Sequence, residues 1–293
     1  MTIDAIRTPD EILQGLPDFP YEPRFRQVGD LRLSHIDEGD GAPVVMWHGE
    51  PTWSFLWRKV LPPVRDAGFR VICPDLVGFG RSDKPVDRDW YSYDRHVDMA
   101  ATLLEDLDLR GATFVVHDWG GPIGLRLAVE HPDRVDRLVI LDTGLATGDR
   151  PMGEEWQRFR DFVDRIEDLP MSPILQGGTE TELSDEVLEA YEKPFPNPAS
   201  KAGARAFPGL IAQTPDHPAA AAGRRVLDAL RTDERDKLLL WATGDLVLPP
   251  ALGDAFAAAL GAETPTPVAD AGHFLQEDKG AEIGALIADW LGG

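Results

Sequence analysis

Along this chain, apolar runs of strand length alternate with segments whose apolar residues recur every three or four positions. Runs of the first kind cover Arg24 to Val28, Leu31 to Asp37, Pro43 to Trp47, Arg70 to Cys73, Thr113 to His117, Arg137 to Leu141, Lys237 to Ala242 and Thr264 to Ala269. Helix-period segments lie near Phe55 to Ala67, Tyr93 to Leu107, Pro122 to Glu130, Ala251 to Leu260 and Ala281 to Leu291. Only Gly29 and Asp30 separate the first two strands, which predicts an antiparallel hairpin. The later strands alternate with helices, the pattern of parallel strands joined by crossovers. The expected fold class is therefore α/β, with an eight-stranded, mostly parallel sheet.

The rhythm breaks between about Thr143 and Val226. Prolines from Pro151 to Pro218 punctuate this stretch, and helical patterns survive only near Glu154 to Glu167, Asp185 to Tyr191 and Ala202 to Ile211. This predicts a helical cap over residues 144–225, inserted after the sixth strand, with residues 1–143 and 226–293 forming the core. Ligands in open α/β sheets bind beyond the carboxyl ends of the strands, so an insertion there is expected to cover the site and line its pocket.

Composition narrows the partners. The 293 residues are 43% hydrophobic, enough for a sizeable core, and Cys73, the single cysteine, sits in an apolar run that predicts burial. Acidic residues outnumber basic ones 51 to 29, a net charge of −22 that argues against nucleic acid as a partner. Only six of the basic residues are lysines. An acidic, lysine-poor surface suits concentrated salt, where screening removes self-repulsion, so a halophilic source is expected; a GC-rich genome would produce a similar bias. The stretch Met1 to Arg7 lacks the basic and apolar regions of a signal peptide, and no run reaches membrane-spanning length. A soluble cytoplasmic protein, a monomer or small homo-oligomer with no membrane partner, is expected.

The candidate chemistry centres on Asp118, in Val115-Val116-His117-Asp118-Trp119-Gly120-Gly121. A side chain framed by small residues between a strand and a helix matches a nucleophile elbow, a sharp turn that pushes the nucleophile into a cavity. Serine is the more usual occupant. A carboxylate there attacks carbon and forms an ester whose alkyl part comes from the substrate. His273, directly after the last predicted strand, is the candidate base, in the chain order expected of such a site. Asp245, after the seventh strand, is the candidate acid that orients it, with Asp142, after the sixth, as its rival. Backbone N–H groups of Trp119 and Glu50 are expected to form an oxyanion hole, and the Glu50 carboxylate either holds the hydrolytic water or pairs with an arginine such as Arg58. His48 and His117 are expected to be structural, and His35, His96, His131 and His217 solvated or at helix ends.

Together these residues resemble the haloalkane dehalogenases of the α/β-hydrolase fold. The resemblance is carried by His48-Gly49-Glu50-Pro51-Thr52-Trp53-Ser54, Asp75 to Pro85, Val115 to Gly121 and Ala269 to Asp278, with two cap segments, Ala190 to Pro196 and Lys201 to Pro208. It points to the subgroup with Glu after His-Gly, which supports Asp245 over Asp142. It implies cleavage of haloalkanes by water, giving alcohol, halide and a proton, through an alkyl ester on Asp118. No metal or cofactor is implied. It also implies two tryptophan N–H donors to the halide. Trp119 is one. Aligning the cap places Phe159 at the second position, with Trp156 almost one helical turn earlier, so Trp156 and Phe159 compete for it. Phe207, Pro208 and Ile211 match positions lining the pocket, Pro208 beside the halide. Epoxide hydrolases, the nearest alternative, use two cap tyrosines; this cap has only Tyr191, in a segment resembling a surface helix of the dehalogenases.

Overall fold

In the computed structural model, which describes residues 3–293, the predicted strands assemble into a single twisted sheet. Met1 and Thr2, part of the N-terminal stretch considered above, lie outside the described residues. The strands are β1 (Ala5–Ile6), β2 (Arg24–Val28), β3 (Leu31–Glu38), β4 (Pro43–Trp47), β5 (Arg70–Pro74), β6 (Lys84–Pro85), β7 (Ala112–His117), β8 (Val135–Leu141), β9 (Lys237–Ala242) and β10 (Thr266–Val268). Eight of them form the main sheet in the order β10-β9-β8-β7-β4-β5-β3-β2. Strand β3 pairs antiparallel with both β2 and β5, and every other pairing in this sheet is parallel. This is the α/β-hydrolase fold expected from the sequence. Strands β1 and β6 form a separate antiparallel pair, too short to show any periodicity.

The central strands read as continuous apolar runs because helices cover both faces. Val44 to Trp47 and Phe114 to Val116 are essentially inaccessible. The helices are α1 (Leu61–Asp66), α2 (Tyr93–Asp106), α3 (Gly120–Glu130), α4 (Glu154–Arg165), α5 (Met171–Gly177), α6 (Asp185–Glu192), α7 (Ala202–Leu210), α8 (Ala220–Leu230), α9 (Pro250–Leu260) and α10 (Leu275–Gly292). The helix expected over Phe55 to Ala67 is in fact a 3₁₀ segment, Ser54–Lys59, followed by α1. Pro62 and Pro63 explain the break: proline lacks the N–H a helix interior needs but is tolerated in a first turn. The same rule admits α5, where Pro173 falls in the first turn. Helix α8 runs through position 226, where the sequence suggested that the core resumes.

The helices between β8 and β9 are tied to the rest of the chain by buried polar contacts. Tyr191 on α6 is inaccessible, and its hydroxyl donates to Glu277, which also accepts from both terminal guanidinium nitrogens of Arg58 and lies 3.1 Å from Lys59 Nζ. Helix α6 lies at the surface, as expected, and only Ala190 and Tyr191 on its inner face are buried. Thr8 donates to the carbonyl of Pro194 at 2.6 Å and accepts from the buried Lys84 ammonium at 2.9 Å.

Candidate active site

Strand β7 ends at His117 and α3 begins at Gly120, so Asp118 and Trp119 alone make the turn between them. Asp118 has φ of 47°, the left-handed region that a non-glycine residue occupies only when its surroundings enforce it. They do so here. The Asp118 carbonyl accepts from Gly121 N–H at 2.9 Å and from the Thr143 hydroxyl at 2.6 Å, while Asp118 N–H donates to the Asp142 carbonyl at 3.2 Å. Two glycines make the turn sterically possible. A Cβ at Gly120 would lie 2.1 Å from the Trp47 carbonyl oxygen, and one at Gly49 would lie 2.1 Å from Asp118 Oδ1.

The open side at Gly49 brings the backbone of the His48–Glu50 loop onto the carboxylate, and Glu50 N–H donates to Asp118 Oδ1 at 2.7 Å. The other oxygen, Oδ2, lies 3.6 Å from His273 Nε2. Burial alone would raise the Asp118 carboxyl, but the positive field of the adjacent His273 and the Trp119 N–H outweigh that and hold it below the usual carboxylate range. Asp118 is thus an anion whose side chain remains 20% exposed and open to attack on a bound carbon.

His273 Nδ1 meets Asp245 Oδ2 at 2.8 Å. The other Asp245 oxygen accepts from Val247 N–H at 2.7 Å and Leu248 N–H at 2.9 Å, which fixes the carboxylate toward the ring. Burial opposes charge on His273, yet the field of Asp245, its hydrogen bond and the nearby Asp118 charge raise it well above the ordinary histidine value. The rival acid points elsewhere. Asp142 accepts from Ala242 N–H at 3.1 Å and makes no hydrogen bond to His273, and burial with the adjacent Asp245 charge pushes it well above the ordinary carboxylate value. His117 also serves this centre: its Nε2 lies 2.8 Å from the His273 carbonyl oxygen, and burial lowers its pKa to about 4, so the ring is a neutral donor. His48 likewise bonds backbone only, at Gly49 O and Leu76 N, each at 2.9 Å.

The Glu50 side chain does not pair with Arg58, whose partner is Glu277. Oxygen Oε1 of Glu50 is buried and has no hydrogen-bond partner, and burial, reinforced by the Asp118 charge, drives this carboxyl well above its ordinary value. Trp119 is 6% exposed, and its ring packs on Phe207 of α7 with centroids 4.7 Å apart. Pro208, which follows Phe207 in α7, is also buried. On α4, Trp156 is buried with the Arg160 guanidinium 5.5 Å from its ring, while Phe159 is half-buried against the main core. One expectation for the histidines is corrected: His35, within β3, is inaccessible and neither solvated nor at a helix end, whereas His96 does lie near a helix end, in the first turn of α2, and is inaccessible too. Thr143, which clasps the nucleophile turn, gave no signal in the sequence because its contact spans 25 residues between strand ends.

A carboxylate on such a turn, facing a histidine braced by a second carboxylate, defines a class of hydrolase. The chain matches the alpha/beta hydrolase fold family over residues 42–280. It is 40% identical to a haloalkane dehalogenase of Psychrobacter cryohalolentis, over 98% of this chain and 97% of that protein. A haloalkane dehalogenase of Mycolicibacterium paratuberculosis is 41% identical, over 98% of each. Among solved structures, the tetrameric haloalkane dehalogenase DpaA of Paraglaciecola agarilytica superposes with a TM-score of 0.90 at 35% identity, covering 97% of both chains. The chain belongs to the haloalkane dehalogenases, hydrolases that cleave carbon–halide bonds.

Proposed function

We propose that Asp118 is the nucleophile, His273 the base and Asp245 its orienting acid in hydrolysis of a haloalkane. The carrying observation is the line Asp118, His273, Asp245, with separations of 3.6 and 2.8 Å. Asp118 displaces halide from an sp³ carbon and becomes an alkyl ester. Its negative charge then disappears. The Asp118 charge helps to hold His273 high, so ester formation lowers the histidine toward its ordinary range and frees it to take a proton from water. The base is thus unmasked by the first step. Water attacks the ester carbonyl, the oxyanion is held by the N–H groups of Glu50 and Trp119, and alcohol leaves as the carboxylate re-forms. Glu50 supplies a buried polar group for that water.

The departing halide is held by the indole N–H of Trp119 and by that of Trp156, with Pro208 beside it. Phe159, the rival at the second position, has no N–H to give. Replacing Trp156 by Phe removes one hydrogen bond to a charged ligand, worth roughly 1.5–3 kcal/mol, and weakens halide binding about ten- to a hundredfold. Unchanged bromide binding in that variant removes Trp156 from the site. The enzyme works as a cytoplasmic monomer or small homo-oligomer.

Purified protein offered 1,2-dibromoethane, 1-iodobutane, styrene oxide and p-nitrophenyl acetate should release halide from the first two, and Asp118→Ala should abolish that release. Diol from styrene oxide without halide from the haloalkanes contradicts the assignment. The Tyr191 hydroxyl, the single tyrosine between β8 and β9, is committed to Glu277 and supports carbon–halogen cleavage over epoxide opening.

A further inference from the structure

His96, on the inner face of α2, is 1% exposed, and neither of its ring nitrogens has a hydrogen-bond partner. An unpaired buried polar atom costs about 1–3 kcal/mol, so a side chain serving only to fill space would be replaced at lower cost by an apolar one. What the imidazole does is stack. It lies 4.5 Å from the Phe207 ring at 20° and 5.8 Å from Tyr91 at 27°. Phe207 continues the series to Trp119, 4.7 Å away at 40°.

The far end of this column is clamped. The Tyr91 hydroxyl donates to the Pro85 carbonyl at 2.8 Å, and its ring is pressed so closely that a Cβ at Gly78 would lie 2.8 Å from it and one at Gly203 3.0 Å. The near end is the residue that follows the nucleophile. Of these groups, Phe207 and Gly203 belong to α7, and the others to the sheet side of the molecule. Burial, with His48 nearby, pushes the His96 pKa down to about 3, so the imidazole stacks as a neutral ring. It therefore adds no charge of its own to the halide's surroundings.

We propose that His96 is a positioning residue for the halide site, setting the plane of Phe207 and through it the orientation of the Trp119 indole N–H. This rests on Trp119 being a halide donor, as proposed above. Misplacement of a binding group by about 1 Å is enough to cost an order of magnitude or more. Accordingly, His96→Leu, which removes the flat ring, should weaken bromide binding about five- to twentyfold by titration calorimetry and lower kcat/KM for 1,2-dibromoethane, whereas His96→Phe, which restores a ring, should stay within about twofold of the parent. In a Phe207→Leu background, His96→Leu should add less than about twofold, because the intermediary is already gone.

Three results overturn the proposal: a folded His96→Leu variant that binds bromide like the parent, a His96→Phe variant that falls as far as His96→Leu, or an undiminished His96 effect without Phe207. Should His96→Leu not fold, His96→Met, which keeps volume without a plane, is judged by the same criteria. Trp119→Phe separates the two levels. Bromide binding unaffected by Trp119→Phe refutes the underlying donor assignment, while a weakened Trp119→Phe beside an unaffected His96→Leu refutes only the role of His96.

Discussion

Two carboxylates near His273 differ in what their oxygens can reach. Asp245 is locked by Val247 and Leu248 N–H groups and faces the imidazole, while Asp142 is turned to the Ala242 N–H. Asp245→Asn should therefore lower turnover by about 10²- to 10⁴-fold, the scale seen when the orienting acid of a triad is neutralised, with Asp142→Asn close to the parent. Steady-state kinetics of the two variants decide this, and the reverse ranking would make Asp142 the acid. The same local fields set the pH behaviour. Asp118 is held below the usual carboxylate range, so formation of the alkyl-enzyme should persist as pH falls through about 4, near the ordinary aspartate value, and fail only below it. Single-turnover halide release measured against pH tests this; loss of the first step near pH 6 would contradict it.

At the level of elements, the sequence pattern carried the sheet almost intact, because the central parallel strands are continuous apolar runs and β2 and β3 flank a two-residue turn. Asp118, His273 and Glu50 were also readable, since each lies in a short glycine-framed motif at a strand end. What escaped detection depends on contacts across the chain. The sequence favoured Asp245 over Asp142 only through the resemblance, and the inward turn of Tyr191 depends on its partners, Arg58 in the 3₁₀ segment and Glu277 in α10. The early start of α10 at Leu275, with non-helical backbone at Lys279, was likewise invisible to periodicity.

That clamp has energetic consequences. Burial raises the Glu277 carboxyl, but Arg58, Lys59 and Tyr191 outweigh it and leave the pKa depressed. Its stabilising contribution is therefore present above the unfolded-state value of about 4.3 and is lost as pH falls through the lower folded value. Glu277→Gln leaves the Arg58 charge buried without its partner and should cost about 3–5 kcal/mol at neutral pH. The variant should also show a shallower loss of stability on the acid side. Denaturant melts at pH 7 and pH 3.5 would check both, and equal stability of variant and parent at neutral pH would refute the clamp.

For the whole molecule, the governing quantity is the net charge of −22. Among the described residues no helix is long and apolar enough to cross a membrane. Self-repulsion among 51 acidic side chains is screened as ionic strength rises, so we expect the midpoint of thermal unfolding to increase between dilute buffer and molar KCl. A midpoint that stays level or falls would assign the acidic, arginine-rich composition to genome bias.

A covalent ester on Asp118 that His273 hydrolyses should be caught by mass spectrometry of His273→Phe after exposure to 1,2-dibromoethane. The variant should release no more than one bromide per site and carry a bromoethyl adduct confined to the peptide containing Asp118. Sustained turnover, or bromide release with no adduct on that peptide, would contradict the ester.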